Sequence, residues 1–253
     1  MLSVLQFSDC HLLADPQERL YGADPEQCLQ QVLQAAQPWA ARSHMAIISG
    51  DLTQHGEAAA YQQLNTMFSA LGCPVYSVPG NHDCPETMEK LFNGTALHWQ
   101  PSLTLQGWHF LFLNAVLPKQ DAGEVSAAQL EHLQQQLEQL PPLPTALVLH
   151  HHPRPTDSSW MEQMALRNSE ELFTLLAGYP QVALILFGHI HQPFDTLYRS
   201  IRLLGTPSTC VQFAHGTSKP EFIHDRFAFR WLHLHADGTI ETDLVWITPQ
   251  KAL

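Results

Sequence analysis

Up to about residue 199 the chain alternates short apolar runs with amphipathic stretches. Leu2 to Phe7, Met45 to Ile48, Val75 to Val78, Trp108 to Leu113, Ala146 to Leu149 and Val182 to Phe187 read as strands, several of them continuously apolar and so buried on both faces. Between them lie helices. Asp24 is placed as an N-cap with Pro25 at the first helical position of a helix running through Leu29 and Val32 towards Ala36. A second helix is expected from about Gly56 to Ala70. Ser126 opens a third, with Gln129 three residues on as in a capping box, and with Leu130, Leu133, Leu137 and Leu140 along one face. Beyond about Arg199 the pattern turns to strands without intervening helices: Ile201 to Leu204, Cys210 to Phe213, Phe227 to His235 and Ile240 to Trp246, the last two split by the hairpin signal Asp237-Gly238. This predicts mixed strands and helices, two packed sheets with helices outside, in one domain spanning 1–253.

Polar motifs stand where the apolar runs stop. Asp9-Cys10-His11, Gly50-Asp51, Gly80-Asn81-His82-Asp83, His150-His151-His152-Pro153 and Gly188-His189-Ile190-His191 each follow such a run, and Thr206-Pro207-Ser208-Thr209 comes after them. In open α/β sheets ligands bind at the C-terminal ends of strands, so these residues are expected to converge on one rim. Carboxylate, imidazole and amide oxygens are the ligand types that divalent metals of hard to borderline character take.

Composition narrows the chemistry. Sixteen histidines against twelve lysines plus arginines fit a metal protein. The formal charge of −12 argues against a nucleic-acid-binding face, while bound cations can still make one acidic protein's site attractive to a small phosphate ester. Five cysteines without paired spacing fit a reducing compartment. With no signal-like N-terminus and no stretch of membrane-spanning length, the expected location is the cytoplasm, with no membrane partner.

In these motifs the sequence resembles the calcineurin-like metallophosphoesterases and, among them, the bacterial class III 3′,5′-cyclic AMP phosphodiesterases. The closer likeness rests on Ser8 to Leu12 with Ala14-Asp15-Pro16, on His150 to Pro153, on Leu166-Arg167-Asn168 and on Thr206 to Phe213, and it spans about residues 1 to 245. The resemblance implies a four-layer α/β/β/α sandwich and hydrolysis of cyclic AMP to 5′-AMP by a hydroxide on two divalent metals, iron or manganese first, zinc or cobalt as alternatives. It implies that Asp9, His11 and His191 hold one metal, that Asn81, His151 and His189 hold the other, and that Asp51 bridges both, offering one oxygen to each. His82 and Asp51 would be catalytic, with His82 protonating the leaving oxygen and Asp83 either orienting it or capping a turn. The substrate would be met by His11, Asp51, Asn81, His82, His151 and His191.

Within the triple-histidine run, His151 stands two residues before the proline and should face opposite to His150 and His152, which are read as buried strand and loop residues. Cys10 stands where threonine is more usual and should point away from the metals. Thr206 to Thr209 either closes the substrate rim or is an ordinary turn, and His215 is a weaker candidate for contact with substrate. The remaining histidines read as surface or structural. A hydrolase of other small phosphodiesters, a non-catalytic scaffold of the same fold and a nuclease are the rival readings. Metal identity, preference between cyclic AMP and cyclic GMP, and oligomeric state are not written in the spacing.

Overall fold

The structure is a computed structural model and describes residues 1–92 and 94–249; position 93 and the last four positions of the expected 1–253 domain lie outside it. In chain order, β1 (Leu2–Phe7), β2 (Met45–Ser49), β3 (Val75–Val78) and β4 (Leu97–His98) run parallel to one another. β5 (Ser102–Leu105), β6 (Trp108–Phe112), β7 (Thr145–Val148), β8 (Val182–Phe187), β9 (Phe194–Tyr198) and β10 (Ile201–Gly205) form a second sheet in the order β5-β6-β7-β8-β10-β9. The short ribbon β11 (Gln212–Phe213) and β12 (Phe222–Ile223) follows. Then β13 (Phe227–Leu234) and β14 (Ile240–Ile247) return to the first sheet, which reads β14-β13-β1-β2-β3-β4.

Strict alternation along the strands builds the layers. Leu2 and Val4 of β1, Met45 and Ile47 of β2, Ala146 and Val148 of β7 and Leu184 and Leu186 of β8 meet between the sheets. Their neighbours Leu5, Phe7, Ala46 and Ile48 face outward, onto Leu29, Val32 and Ala36 of α1 (Pro25–Ala40) and Tyr61, Leu64 and Phe68 of α2 (Ala58–Ser69). After α3 (Pro85–Leu91), the second sheet repeats the arrangement. Leu147, Ile185 and Phe187 face Leu130, Leu133 and Leu137 of α4 (Ala127–Gln139) and Leu172, Phe173 and Leu176 of α5 (Ser169–Leu176). The result is the expected α/β/β/α sandwich, with two mixed sheets.

The expected helix ends shift where local geometry overrides pattern. The Asp24 carboxylate accepts from the Gln27 N–H, so α1 begins as expected. α2 starts two residues later than expected, because Gly56 has φ +70° and cannot begin a helix. Only half of the capping box forms. Ser126 Oγ accepts from Gln129 N, but the Gln129 amide exchanges hydrogen bonds with the backbone of Asn114 instead of reaching back. α3 and the mostly exposed edge strand β9 carry no strong periodic signal and lie outside the expected elements, as does the short amphipathic α5. No helix among the described residues is long and apolar enough to cross a membrane.

Candidate metal centre

Both sheets point the C-terminal ends of their parallel strands at one seam. The loops after β1, β2 and β3 deliver Asp9, His11, Asp51, Asn81 and His82 from the first sheet, and those after β7 and β8 deliver His150, His189 and His191 from the second. The loops are stitched together before any side chain takes part: Asp9 N donates to Gly50 O at 3.0 Å and His11 N to Asp51 O at 2.9 Å. The backbone turns sharply at the functional positions, with φ of 53° at Asp9, 47° at His11, 49° at Asp51, 69° at His189 and 50° at His191. Non-glycine residues rarely adopt this left-handed region, and it persists only where surrounding contacts enforce it. Gly80 is required by close approach: a Cβ there would sit 2.2 Å from Asp51 Oδ1.

The side chains form two groups sharing one member. Asp9 Oδ1 lies 3.2 Å from His191 Nε2, which lies 3.1 Å from His11 Nε2. Across the seam, His150 Nε2 is 3.2 Å from Asn81 Oδ1 and 3.1 Å from His189 Nδ1. Asp51 Oδ2 stands between, 3.5 Å from His11 Nε2 and 3.3 Å from His150 Nε2.

The other ring nitrogens determine what these contacts mean. His191 Nδ1 is 2.7 Å from Val211 O, His150 Nδ1 is 2.8 Å from Ser49 O, and His11 Nδ1 is 2.8 Å from Gln54 Oε1. Oxygens of carbonyl type only accept, so each Nδ1 carries the hydrogen and each Nε2 presents a lone pair to the cluster. Lone pairs facing one another at 3.1 Å repel unless a cation lies among them. The donor set therefore fits two metal ions, one among Asp9, His11 and His191, one among Asn81, His150 and His189, with Asp51 shared.

The electrostatics agree. Burial opposes ionisation of Asp51, but the imidazoles of His150, His82 and His11 outweigh it and hold the carboxyl well below its ordinary value. Asp9 is likewise lowered, burial being overcome by His191 and His150. Burial also works against charge on His150, yet Asp51 and Asp9 hold it up at about 9. His11 is pushed down to about 3 by burial, despite Asp51.

The structure corrects the sequence reading at several positions. It brings His150, and not His151, to the cluster. The expected alternation is present, but His150 continues the parity of Ala146 and Val148, which face the partner sheet, and the site lies on that seam. His151 continues the parity of Leu147 and Leu149, turned towards the outer helices, and its ring fills the space beside Gly123, where a Cβ would lie 2.3 Å from Nδ1. His152 is buried and stacks on the His189 ring at 5.5 Å. Asp51 does not offer one oxygen to each group: Oδ2 faces both, while Oδ1 accepts from His82 N at 3.0 Å. Asp83 does not touch the His82 ring, whose Nδ1 lies 3.1 Å from Gln54 O. Instead it gathers Leu52 N, Thr53 N, Gly80 N and the Tyr61 hydroxyl, locking the Asp51 loop to the Asn81 loop. Burial and the neighbouring Asp51 charge raise it to about 6 even so.

Thr206 to Thr209 is buried and braces the first loop from behind, through Ser208 Oγ to Asp9 O at 2.7 Å and Thr209 N to Ser8 O at 3.1 Å. Cys10 points into the outer core, as expected, and burial raises its thiol. His215 pairs with exposed Asp157 and does not line the cleft. Asn168, singled out only by resemblance, exchanges hydrogen bonds with the Val125 backbone and so fixes the loop on which His151 packs. Gln54, which lies outside the motifs, and the carbonyls of Ser49 and Val211, which as backbone acceptors leave no mark in a sequence, were missed.

The profile of the calcineurin-like phosphoesterases matches residues 2–193. The chain belongs to that family. Among curated calcineurin-like relatives, the 3′,5′-cyclic adenosine monophosphate phosphodiesterase CpdA of Escherichia coli K12 is 38% identical over 244 residues, covering 95% of this chain and 88% of the relative. A 3′,5′-cyclic-nucleotide phosphodiesterase of Nostoc is 35% identical over 243 residues, covering 96% of this chain and 91% of the relative. A dimetal phosphatase from Danio rerio shares the fold of this phosphoesterase, with TM-score 0.65 over 98% of each chain at 13% identity.

Proposed function

We propose that this phosphoesterase hydrolyses 3′,5′-cyclic AMP to 5′-AMP with two divalent ions, held by Asp9, His11 and His191 on one side and Asn81, His150 and His189 on the other, with Asp51 between. The observation carrying the reading is the single oxygen Asp51 Oδ2 facing imidazoles of both groups, each with its other nitrogen committed to an oxygen acceptor. The cyclic AMP and cyclic-nucleotide phosphodiesterases similar to this chain over nearly its whole length support the substrate. Imidazole, carboxylate and amide donors suit iron or manganese, with zinc or cobalt as alternatives.

Ions of this kind acidify water and neutralise phosphate oxygens as charge develops. The chain's own residues do the rest. Asp51 and Asp9 fix the two groups at one spacing, and the cleft, lined by His11, Asn81, His82, His189 and His191, admits the phosphate beside them. Water adds to phosphorus and the bond to O3′ breaks, leaving an alkoxide that needs a proton. His82 supplies it. Its Nδ1–H is held by Gln54 O, so to act as the acid His82 carries a second proton on Nε2, and it is this proton that passes to O3′.

The test is product analysis with metal-reconstituted protein in isotopically labelled water. The expected product is 5′-AMP carrying one solvent oxygen on phosphorus. 3′-AMP as the main product, or a higher kcat/KM for glycerophosphodiesters or 2′,3′-cyclic nucleotides, overturns the assignment.

A further inference from the structure

Away from the histidines and carboxylates, the cleft wall becomes aromatic. The His191 ring lies flat on Phe213, with centroids 4.1 Å apart and planes 4° from parallel. Phe213 in turn meets Trp160 edge-to-face at 5.1 Å and Phe222, its register partner across the β11–β12 ribbon, at 5.8 Å. Phe222 stacks on Tyr21 at 3.8 Å and 14°. Phe213 is nearly buried, whereas Phe222 is 37% and Tyr21 52% exposed, so the outer rings offer open faces at the mouth of the cleft.

Exposed large hydrophobic side chains are few among the described residues, and these two lie together beside the reaction centre. They come from distant parts of the chain, Tyr21 from the loop after β1 and Phe222 from the C-terminal ribbon, and no core packing requires their outer faces.

Polar groups able to read a base edge are scarce there. Trp160 Nε1 donates to Thr217 Oγ1 at 3.2 Å, and Gln54 Oε1 is taken by His11. Among the described lining residues beyond the ion cluster, that leaves the Gln54 Nε2 amide and the Tyr21 hydroxyl as the free side-chain polar groups.

We propose that the wall formed by Phe222, Trp160 and Phe213, with Tyr21 as its outer ring, seats the nucleobase, and that the enzyme selects purine cyclic phosphates by stacking area and not by hydrogen-bond readout. The inference rests on the cyclic-nucleotide reading above and specifies how that substrate is chosen. Stacking is tolerant of base identity because every base has a π face. Cyclic AMP and cyclic GMP are therefore handled alike, and a smaller pyrimidine less well.

The experiment compares cyclic AMP, cyclic GMP, cyclic CMP and the base-free 3′,5′-cyclic phosphate of methyl riboside, in the metal-loaded parent and in Phe222→Ala. In the parent, KM rises from the purines through cyclic CMP to the base-free compound, by roughly tenfold overall, the usual worth of one stacked base. Phe222→Ala raises KM for cyclic AMP by about tenfold, leaves kcat within about twofold, and leaves the base-free substrate unchanged; Phe222→Tyr restores the parent value. Equal losses with and without a base, or a strong preference for adenine over guanine, overturn the proposal.

Calorimetric binding of 5′-AMP and of ribose 5-phosphate separates it from the underlying reading. If the parent turns over no cyclic phosphate, the hydrolytic assignment falls, and binding alone decides the wall. Equal affinities of parent protein for the two ligands then overturn it, and tighter 5′-AMP binding that Phe222→Ala abolishes supports it.

Discussion

His150 and His151 differ in the sequence by one position and in the structure by a whole layer. Choosing between them needed the parity of β7 relative to its partner sheet, and that depends on which face of the sandwich carries the site. The local sequence offers three equivalent imidazoles before a proline, so it could not decide. Replacement tests the assignment directly. His150→Ala is expected to lose one of two bound ions after dialysis, and His151→Ala to keep both, by elemental analysis; the reverse pattern would return His151 to the site. The role of His82 separates from metal binding by choice of leaving group. His82→Ala should lower cyclic AMP hydrolysis by roughly 10²–10⁴-fold, the worth of general acid catalysis. A nitrophenyl diester, whose leaving group needs no proton, should lose far less. Equal losses would leave His82 a phosphate-positioning group.

Strands and loops divide differently between what was legible and what was not. β1, β2, β3 and β8 were visible because strands buried on both faces are mostly apolar, and the residues ending them were visible because polar motifs interrupt that pattern. α3 and β9 were not. The one buries Met88 and little else, and the other lies exposed on an edge, so neither needs a periodic sequence. The contacts that hold the site's loops together were hidden for another reason: they run from side chain to backbone across long separations, as Asp83 does to Leu52 and Thr53. Asp83→Ala leaves several buried donors without an acceptor, at about 1–3 kcal/mol each. The variant is expected to be destabilised by at least about 3 kcal/mol in denaturant unfolding and to bind metal weakly although Asp83 touches none. A variant of parental stability would show that water replaces the carboxylate.

At the scale of the molecule, the two sheets share an apolar seam and are joined again at its rim by the histidine and carboxylate cluster. Ions held there would tie one sheet to the other and so favour the folded chain. At a free concentration of about 100 times Kd such an ion adds about 2.7 kcal/mol. For a chain of this size that corresponds to roughly 5–10 °C in melting temperature. Chelation should lower the Tm of the parent by that amount and move Asp51→Asn, which loses the shared carboxylate, far less; a chelator-insensitive parent would mean that the ions do not span the seam. The strand order carries a further consequence. β1 lies between β2, its early neighbour, and β13, which begins at Phe227. While the chain is being made, one edge of β1 stays open until β13 has emerged, more than 200 residues later, and open edges pair with other chains. Asp9 and His11 sit at the end of that same strand, so the first half of the site waits beside an unprotected edge for His191 and then for β13. Yield of soluble protein should therefore depend more on how quickly the last hairpin closes than on how stable the finished sandwich is.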